Sequence, residues 1–412
     1  MSGVTDFAIM DRTMGNKPLP LKGLKVIELG TLIAGPFAGK LLAEFGAEVI
    51  KIEAPDGGDP LRSWRKLHKG MSLWWSLQAR NKKSVTINLK DKDGQEIVRR
   101  LARDADIVIE NFRPGSMEKW NLGWDTLSGL NPGLIMVRVS GYGQSGPYRD
   151  RTGFGAIGES MGGLRYVTGD PGRPPARVGI SLGDALAAMY GVIGALTAVY
   201  HRKVNGGKGQ YVDVALYEAV FSMMESMLPE YTMTGFIRER SGGALPGIAP
   251  SNTYLCRDGK YVVIGANTDS IFKRLMVLME HQDLADDPML ANNTGRAQRA
   301  EELDQAIGAW TARYNLDSVL EKLEAAQVPS GKIYNIQDIV EDVHYRARDM
   351  IQEFALKDGE KITLPGIVPK LSESPGNTRW LGPELGAHTA EVLTQLGYDA
   401  GQQTELKARG VI

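Results

Sequence analysis

Lys25-Val26-Ile27-Glu28-Leu29 reads as a buried strand, Gly30-Thr31-Leu32-Ile33-Ala34-Gly35 as a turn, and Ala47-Glu48-Val49-Ile50-Lys51-Ile52-Glu53 as a second strand. Between them Gly35-Pro36 opens a helix, with Pro36 suited to the first helical position, and the helix runs to about Phe45. Strand, helix and strand in that order make one crossover unit of a parallel sheet. The series continues outward through Val85 to Leu89, Ile107 to Ile109 and Leu134 to Val139, with a helical stretch near Gly94 to Arg103. The expected fold class is therefore α/β, a doubly wound parallel sheet that receives ligands at its strand C-termini.

Further along, a strand at Tyr211 to Val214 leads into a Met-rich helix, Val214 to Leu228, which Pro229 is expected to end. A Gly/Pro-dense stretch, Ser241 to Gly247, precedes a hairpin pattern over Tyr254 to Val263, turning at Asp258-Gly259. Helical patterns dominate from Ser270 to about Ala326. The division that follows is a large domain over 1–205, a linker over 206–229, a smaller α+β domain over 230–335, a return linker over 336–380 and a C-terminal part of the large domain over 381–412. A tail helix from about His388 to Leu396 is expected to pack back on the large domain.

Composition excludes several classes. The chain has 412 residues, is 42% hydrophobic and 24% charged, and carries a net charge of −1. That is globular composition without the basic field that nucleic acid demands. A single cysteine, Cys256, leaves no disulfide framework and no Cys-rich metal site, and points to a reducing, cytoplasmic setting. Residues 1–20 read as neither secretory signal nor transit peptide. The longest uncharged apolar run, Ala185 to Tyr200, falls short of the roughly 20 residues needed to span a bilayer, so it reads as a buried core helix.

Gly141-Tyr142-Gly143-Gln144-Ser145-Gly146 matches the dinucleotide fingerprint, but the chain continues into Pro147-Tyr148-Arg149-Asp150-Arg151 rather than a helix. A loop is the better reading. Val178-Gly179-Ile180-Ser181-Leu182-Gly183-Asp184-Ala185 supports two compatible readings. Asp184 suits the N-cap of the long apolar helix. In the same place a carboxylate is held ionised, Gly183 allows close approach of a ligand, and the carboxylate can act as a covalent nucleophile. Arg113, Lys119 and Arg151 either pair with phosphates or stay solvated. No histidine precedes Asp184 closely enough to suggest a local acid–base pair, and His388 reads as a surface helix start.

Taken together, eight segments resemble the class III CoA-transferases, the family of formyl-CoA and carnitine CoA-transferases. They are Gly35-Pro36, Val49 to Glu53, Asn81 to Ser84, Glu110 to Gly115, Gly141 to Gly143, Gly183-Asp184, Gly207 to Gln210 and Leu385 to Thr389, in family order over nearly the whole chain. The resemblance implies a Rossmann-like large domain and an open-ring monomer interlocked with a second copy as a homodimer. It implies that Asp184 attacks an acyl-CoA thioester and stores the CoA as an aspartyl thioester. It places Ile33 and Ala34 at first-turn CoA contacts and Ile87, Asn88, Leu89 and Lys90 on the adenine side. Asn111, Phe112, Arg113, Lys119 and Arg151 fall near pantetheine and phosphates, and Gly242, Gly243 and Gly247 in a loop that shields the intermediate. CoA esters are then substrates, with no resident cofactor, metal, nucleic acid or membrane partner.

Ile33, Phe154 and Gly155 stand where formyl-CoA transferase has glutamine, tyrosine and glutamate, so its substrate is not implied. Leu245-Pro246 and Ala249-Pro250 resemble the succinyl-CoA:dicarboxylate branch. The sister α-methylacyl-CoA racemases carry a histidine at Phe154, and without that base a proton-moving reading is weak. A CoA-binding protein without catalysis is the remaining alternative; retention of Gly183-Asp184 speaks against it.

Overall fold

A computed structural model describes residues 19–412. Most of the reading of residues 1–20 thus lies outside the described residues. The first compact unit comprises the chain up to Leu164, Gly179–Glu225 and Arg348–Ile412. It is built on six strands: β1 Lys25–Glu28, β2 Glu48–Glu53, β3 Lys82–Thr86, β4 Ile107–Glu110, β5 Ile135–Ser140 and β6 Tyr211–Ala215. All pair in parallel, in the order β3-β2-β1-β4-β5-β6. The order reverses between β1 and β4, and the C-terminal ends of those strands open the crevice where such sheets take ligands.

Alternation along each strand divides the core into two layers. Val26, Val49, Ile107, Ile109 and Val137 face one layer, with Ala38 and Leu42 of α1 (Ala34–Glu44). Ile27, Ile50, Ile52, Val108 and Met136 face the other, with Ile97 and Val98 of α2 (Lys92–Arg103). Both faces are covered, which is why the strands read as nearly continuous apolar runs. Pro36 is the third residue of α1 rather than the first. Its missing N–H still falls among the donors that no helix satisfies.

Three further helices frame the site: α3 Gly155–Met161, α4 Leu182–Val204 and α5 Leu216–Phe221. At 23 residues α4 is longer than its uncharged run, because Leu182 to Asp184 and His201 to Val204 also wind into it. By length and apolarity alone it could cross a membrane. In this unit it lays Leu186, Ala187, Ala188, Ala195 and Ala198 into the first core layer and leaves Met189, Ile193 and Tyr200 exposed. The expected helix from Val214 to Leu228 is two helices. Residues 222–226 break it, and Pro229 lies in the first turn of the next helix, Met227–Thr234, instead of ending one. Tail helices α6 Thr389–Gln395 and α7 Ala400–Ala408 place Val392, Leu393 and Leu406 in the second core layer.

The second unit takes Arg165–Val178 and Ser226–Ala347. Its antiparallel sheet joins β7 Ser251–Leu255, β8 Tyr261–Gly265 and β9 Ser330–Lys332. The expected hairpin is there, with Leu255 opposite Tyr261. Val262, Ile264, Phe272, Leu303, Ile307 and Trp310 form its separate core. The segment read as a return linker carries a two-stranded hairpin of the first unit, Ile351–Ala355 with Lys361–Pro365.

Candidate active site

Asp184 is the third residue of α4, and Ser181 holds the cap position. The expectation that Asp184 caps the helix is therefore corrected by three residues: Ser181 holds the cap, the chain enters the helix at Leu182, and Asp184 lies inside the first turn. There the helix dipole still favours an anion. Its half-buried carboxylate packs against α3, so closely that a methyl group on Gly155 would overlap Asp184 Oδ2. Glu159, 1% exposed, accepts the Gly183 N–H at 3.3 Å. Phe154 precedes α3 and is 65% exposed.

The β1–α1 turn is held from below. Asn111, at the end of β4, accepts from Thr31 N–H at 2.8 Å and donates to Thr31 O at 2.9 Å. Its whole amide is thus engaged with this turn. Asp59 accepts Leu32 N–H at 3.0 Å and Leu61 N–H at 2.9 Å. Gln78 Nε2 donates to Ile33 O at 3.2 Å, and Lys51 Nζ donates to Gly30 O. Lys51 also lies 2.8 Å from Asp59 and 3.3 Å from Glu28, while Lys82 lies 2.7 Å from Glu28. A methyl group on Gly39 would overlap Glu28 Oε2, so this helix-interior glycine makes room for a buried carboxylate. Burial disfavours the Lys51 ammonium, but Asp59 and Glu28 outweigh it and hold its pKa above the usual value. Burial also opposes ionisation of Asp59 and Glu53, yet Lys51 and the Arg62 guanidinium keep both below the usual carboxylate range.

The remaining candidates scatter. Arg113 donates to Asp150 O at 2.8 Å, which ties the turn after β4 to the loop that carries Arg151. The Arg151 guanidinium stacks on Tyr148, 3.6 Å from the ring centre. Arg113, Lys119 and Arg151 are all exposed, and Phe112 packs edge-on against Trp120. Ile33 is half-buried before α1, whereas the Ala34 side chain is in the core. Ile87 is 1% exposed, its side chain in the second core layer just past the end of β3, so only its backbone is placed to meet a ligand. Asn88 and Leu89 are half-buried and Lys90 exposed just beyond it. Gly242, Gly243 and Gly247 are exposed in the second unit, with Gly242 and Gly247 at φ 65° and 77°. His388 precedes α6 and its Nδ1 accepts Ser84 N–H at 3.1 Å, a structural use.

The chain has counterparts among known proteins. The sequence matches CoA-transferase family III over residues 21–389. It belongs to that family. Succinyl-CoA–D-citramalate CoA-transferase of Chloroflexus aurantiacus is 50% identical, the match covering 96% of this chain and 98% of that protein. Succinate–glutarate CoA-transferase of Agrobacterium fabrum is 34% identical, covering 93% and 97%. Among solved structures, a CAIB/BAIF family protein from Brucella suis superposes with a TM-score of 0.81 at 32% identity, covering 92% of this chain and all of that one.

For this transferase, sequence reasoning missed Glu28, Lys51, Asp59, Lys82 and Glu159. A signal was present for two of them. Lys51 interrupts Val49-Ile50-Lys51-Ile52, and Glu28 follows Val26-Ile27, where only an internally paired charge is tolerated. Asp59, in a loop, carries no such mark.

Proposed function

We propose that this transferase moves CoA from succinyl-CoA to a short dicarboxylic acid through a covalent intermediate on Asp184, working as a homodimer in the cytoplasm. The observation that carries the reading is Asp184 in the first turn of α4, half-buried, with its carboxylate seated against Gly155. An Asp184 oxygen attacks the thioester carbonyl, the C–S bond breaks, and CoA leaves as thiolate from a mixed anhydride. The thiolate then attacks the aspartyl carbonyl and releases succinate, leaving an aspartyl thioester. The acceptor carboxylate reverses both steps, so one difficult exchange becomes several easier ones. Arg113, Lys119 and Arg151 would meet CoA phosphates, Ile33 and Asn88 to Lys90 the rest of the cofactor-like substrate, and Gly242 to Gly247 would shield the intermediate. No resident cofactor or metal enters this chemistry.

The substrate pair follows the relatives' names, which join succinyl-CoA or succinate with citramalate and glutarate. Assembly follows the surface. Tyr190, Ile193, Tyr200, Phe221 and Met223 are exposed on the first unit, and Leu228, Tyr231, Met233 and Phe236 on the second. So many exposed apolar side chains support the reading of an interface. The test incubates purified protein with succinyl-CoA and a panel of mono- and dicarboxylic acids, reading new CoA esters by mass spectrometry and particle mass by light scattering. A dicarboxylyl-CoA product from a particle near twice 44.9 kDa is expected. Succinyl-CoA hydrolysis with no new ester would overturn the activity, and an active monomer the assembly.

A further inference from the structure

Leu32 stands at φ 65°, in the left-handed region that a branched L residue occupies only when its surroundings impose it. Asp59 imposes it, with Oδ1 and Oδ2 receiving the Leu32 N–H at 3.0 and 3.2 Å. Asp59 is itself fixed on three sides. Lys51 pairs with it at 2.8 Å while reaching Gly30 O, so one ammonium grips the turn both directly and through Asp59. The Asp59 N–H donates to Glu53 Oε2 at 3.0 Å, and Arg62 holds Glu53 with two bonds at 2.7 and 2.8 Å. Leu61 N–H supplies the third anchor. Glu28, Lys51, Glu53 and Asp59 are all at most 3% exposed.

Stability is a poor reason for such a lattice. Desolvating charges costs about what their attraction returns, and apolar replacements of the same volume often serve as well. What the lattice secures is one backbone shape, at one place. That place is the turn after β1, where the strand order reverses and the crevice opens. Helix α1 starts directly from it, with no side-chain cap and no acidic residue in its first turn.

We propose that Asp59 is a positioning residue for the transfer reaction: braced by Lys51 and Glu53, it holds Leu32 in the left-handed conformation and so sets the shape in which the β1–α1 turn receives the CoA ester. The inference rests on the reading above. It separates binding from chemistry, because the turn is built by other residues than those around Asp184. Loss of the brace therefore raises KM for the CoA ester and leaves kcat nearly untouched.

The experiment compares wild type, Asp59→Asn, Leu32→Gly and the double variant, with succinyl-CoA as donor and one accepted dicarboxylate. Asp59→Asn is expected to raise KM for succinyl-CoA about tenfold, the scale of one lost charge-assisted hydrogen bond, with kcat within about twofold. Glycine adopts a positive φ unaided. Leu32→Gly in the Asp59→Asn background should therefore recover most of the lost affinity, a rescue that general destabilisation would not give. Calorimetry with CoA alone should show the same ranking. A folded Asp59→Asn protein with unchanged KM, or a double variant no better than the single, overturns the proposal. If Asp59→Asn does not fold, Arg62→Gln at the rim of the lattice replaces it, with about a threefold rise in KM expected; no rise overturns the proposal. A wild type without CoA transfer would instead defeat the proposed function, and calorimetry would still judge the turn.

Discussion

Beneath the β1–α1 turn lie Glu28, Lys51, Asp59 and Lys82, four charged side chains buried together and paired at 2.7 to 3.3 Å. Around the first turn of α4 the neighbours are Gly155 and Gly183, with Glu159 reaching in to the Gly183 N–H. The two regions solve different problems. The turn has to keep an unfavourable backbone shape, and only directional, charge-assisted bonds from a rigid base do that. The role proposed for Asp184 asks for a carboxylate that a substrate can reach, and Gly155, by lacking a side chain, leaves that carboxylate room.

The sharpest way to break this contrast is at the carboxylate itself. Asp184→Asn keeps the size of the side chain and should keep the fold, yet turnover should be abolished, because an amide oxygen is not a competent nucleophile here. Trapping with hydroxylamine after succinyl-CoA should mark Asp184 in the wild type; turnover with that residue unmodified would remove it from the mechanism. Gly155→Val fills the space beside the Asp184 carboxylate without removing any charge. It should lower kcat about a hundredfold, the scale of a reacting group displaced by an ångström, with CoA binding by calorimetry unchanged. An unaffected kcat would show that the open seat is incidental.

The smallest effect is expected in the charge lattice under acid. Glu53 and Asp59 are depressed below their ordinary values in the fold. The stability they contribute is therefore complete above the unfolded values near pH 4 and is withdrawn as pH falls through the lower folded values. Between about pH 4 and pH 2 the wild type should lose stability faster than Glu53→Gln, measured by denaturant midpoints across that range. Parallel acid limbs would mean that Glu53 is not held ionised by Arg62.

Much of the large unit was legible because its strands are buried on both faces. Val26-Ile27 and Val49-Ile50-Lys51-Ile52 are short apolar runs bounded by turn residues, and each appears as a central strand. The hairpin at Asp258-Gly259 was legible from its turn chemistry, since Gly259 sits at φ 76°. The split of the Met-rich helix was not, because Ser222 to Ser226 is compatible with helix by propensity, yet the chain leaves the helix there with Glu225 at φ 48°. Nor was the burial of the Ile87 side chain read from the sequence. Asn88 is half-buried and Lys90 exposed, while the Ile87 side chain joins Ile97 and Val98 in the second core layer.

The sequence by itself determined the parallel α/β core, the turn Gly30 to Gly35 after its first strand, and Asp184 at the start of a long apolar helix. Those follow from local pattern: apolar periodicity, turn residues and a motif series in fixed order. Only the tertiary structure decided that Asp59 and Lys51 grip Leu32 and Gly30, that Asn111 is spent on Thr31, and that Gly155 gives Asp184 its seat. Thr31 and Asn111 are separated by 80 residues, and Leu32 and Asp59 by 27. A hydrogen bond or steric contact acts over a few ångströms of space whatever the distance along the chain, so which groups meet is settled when the strands take their places in the sheet.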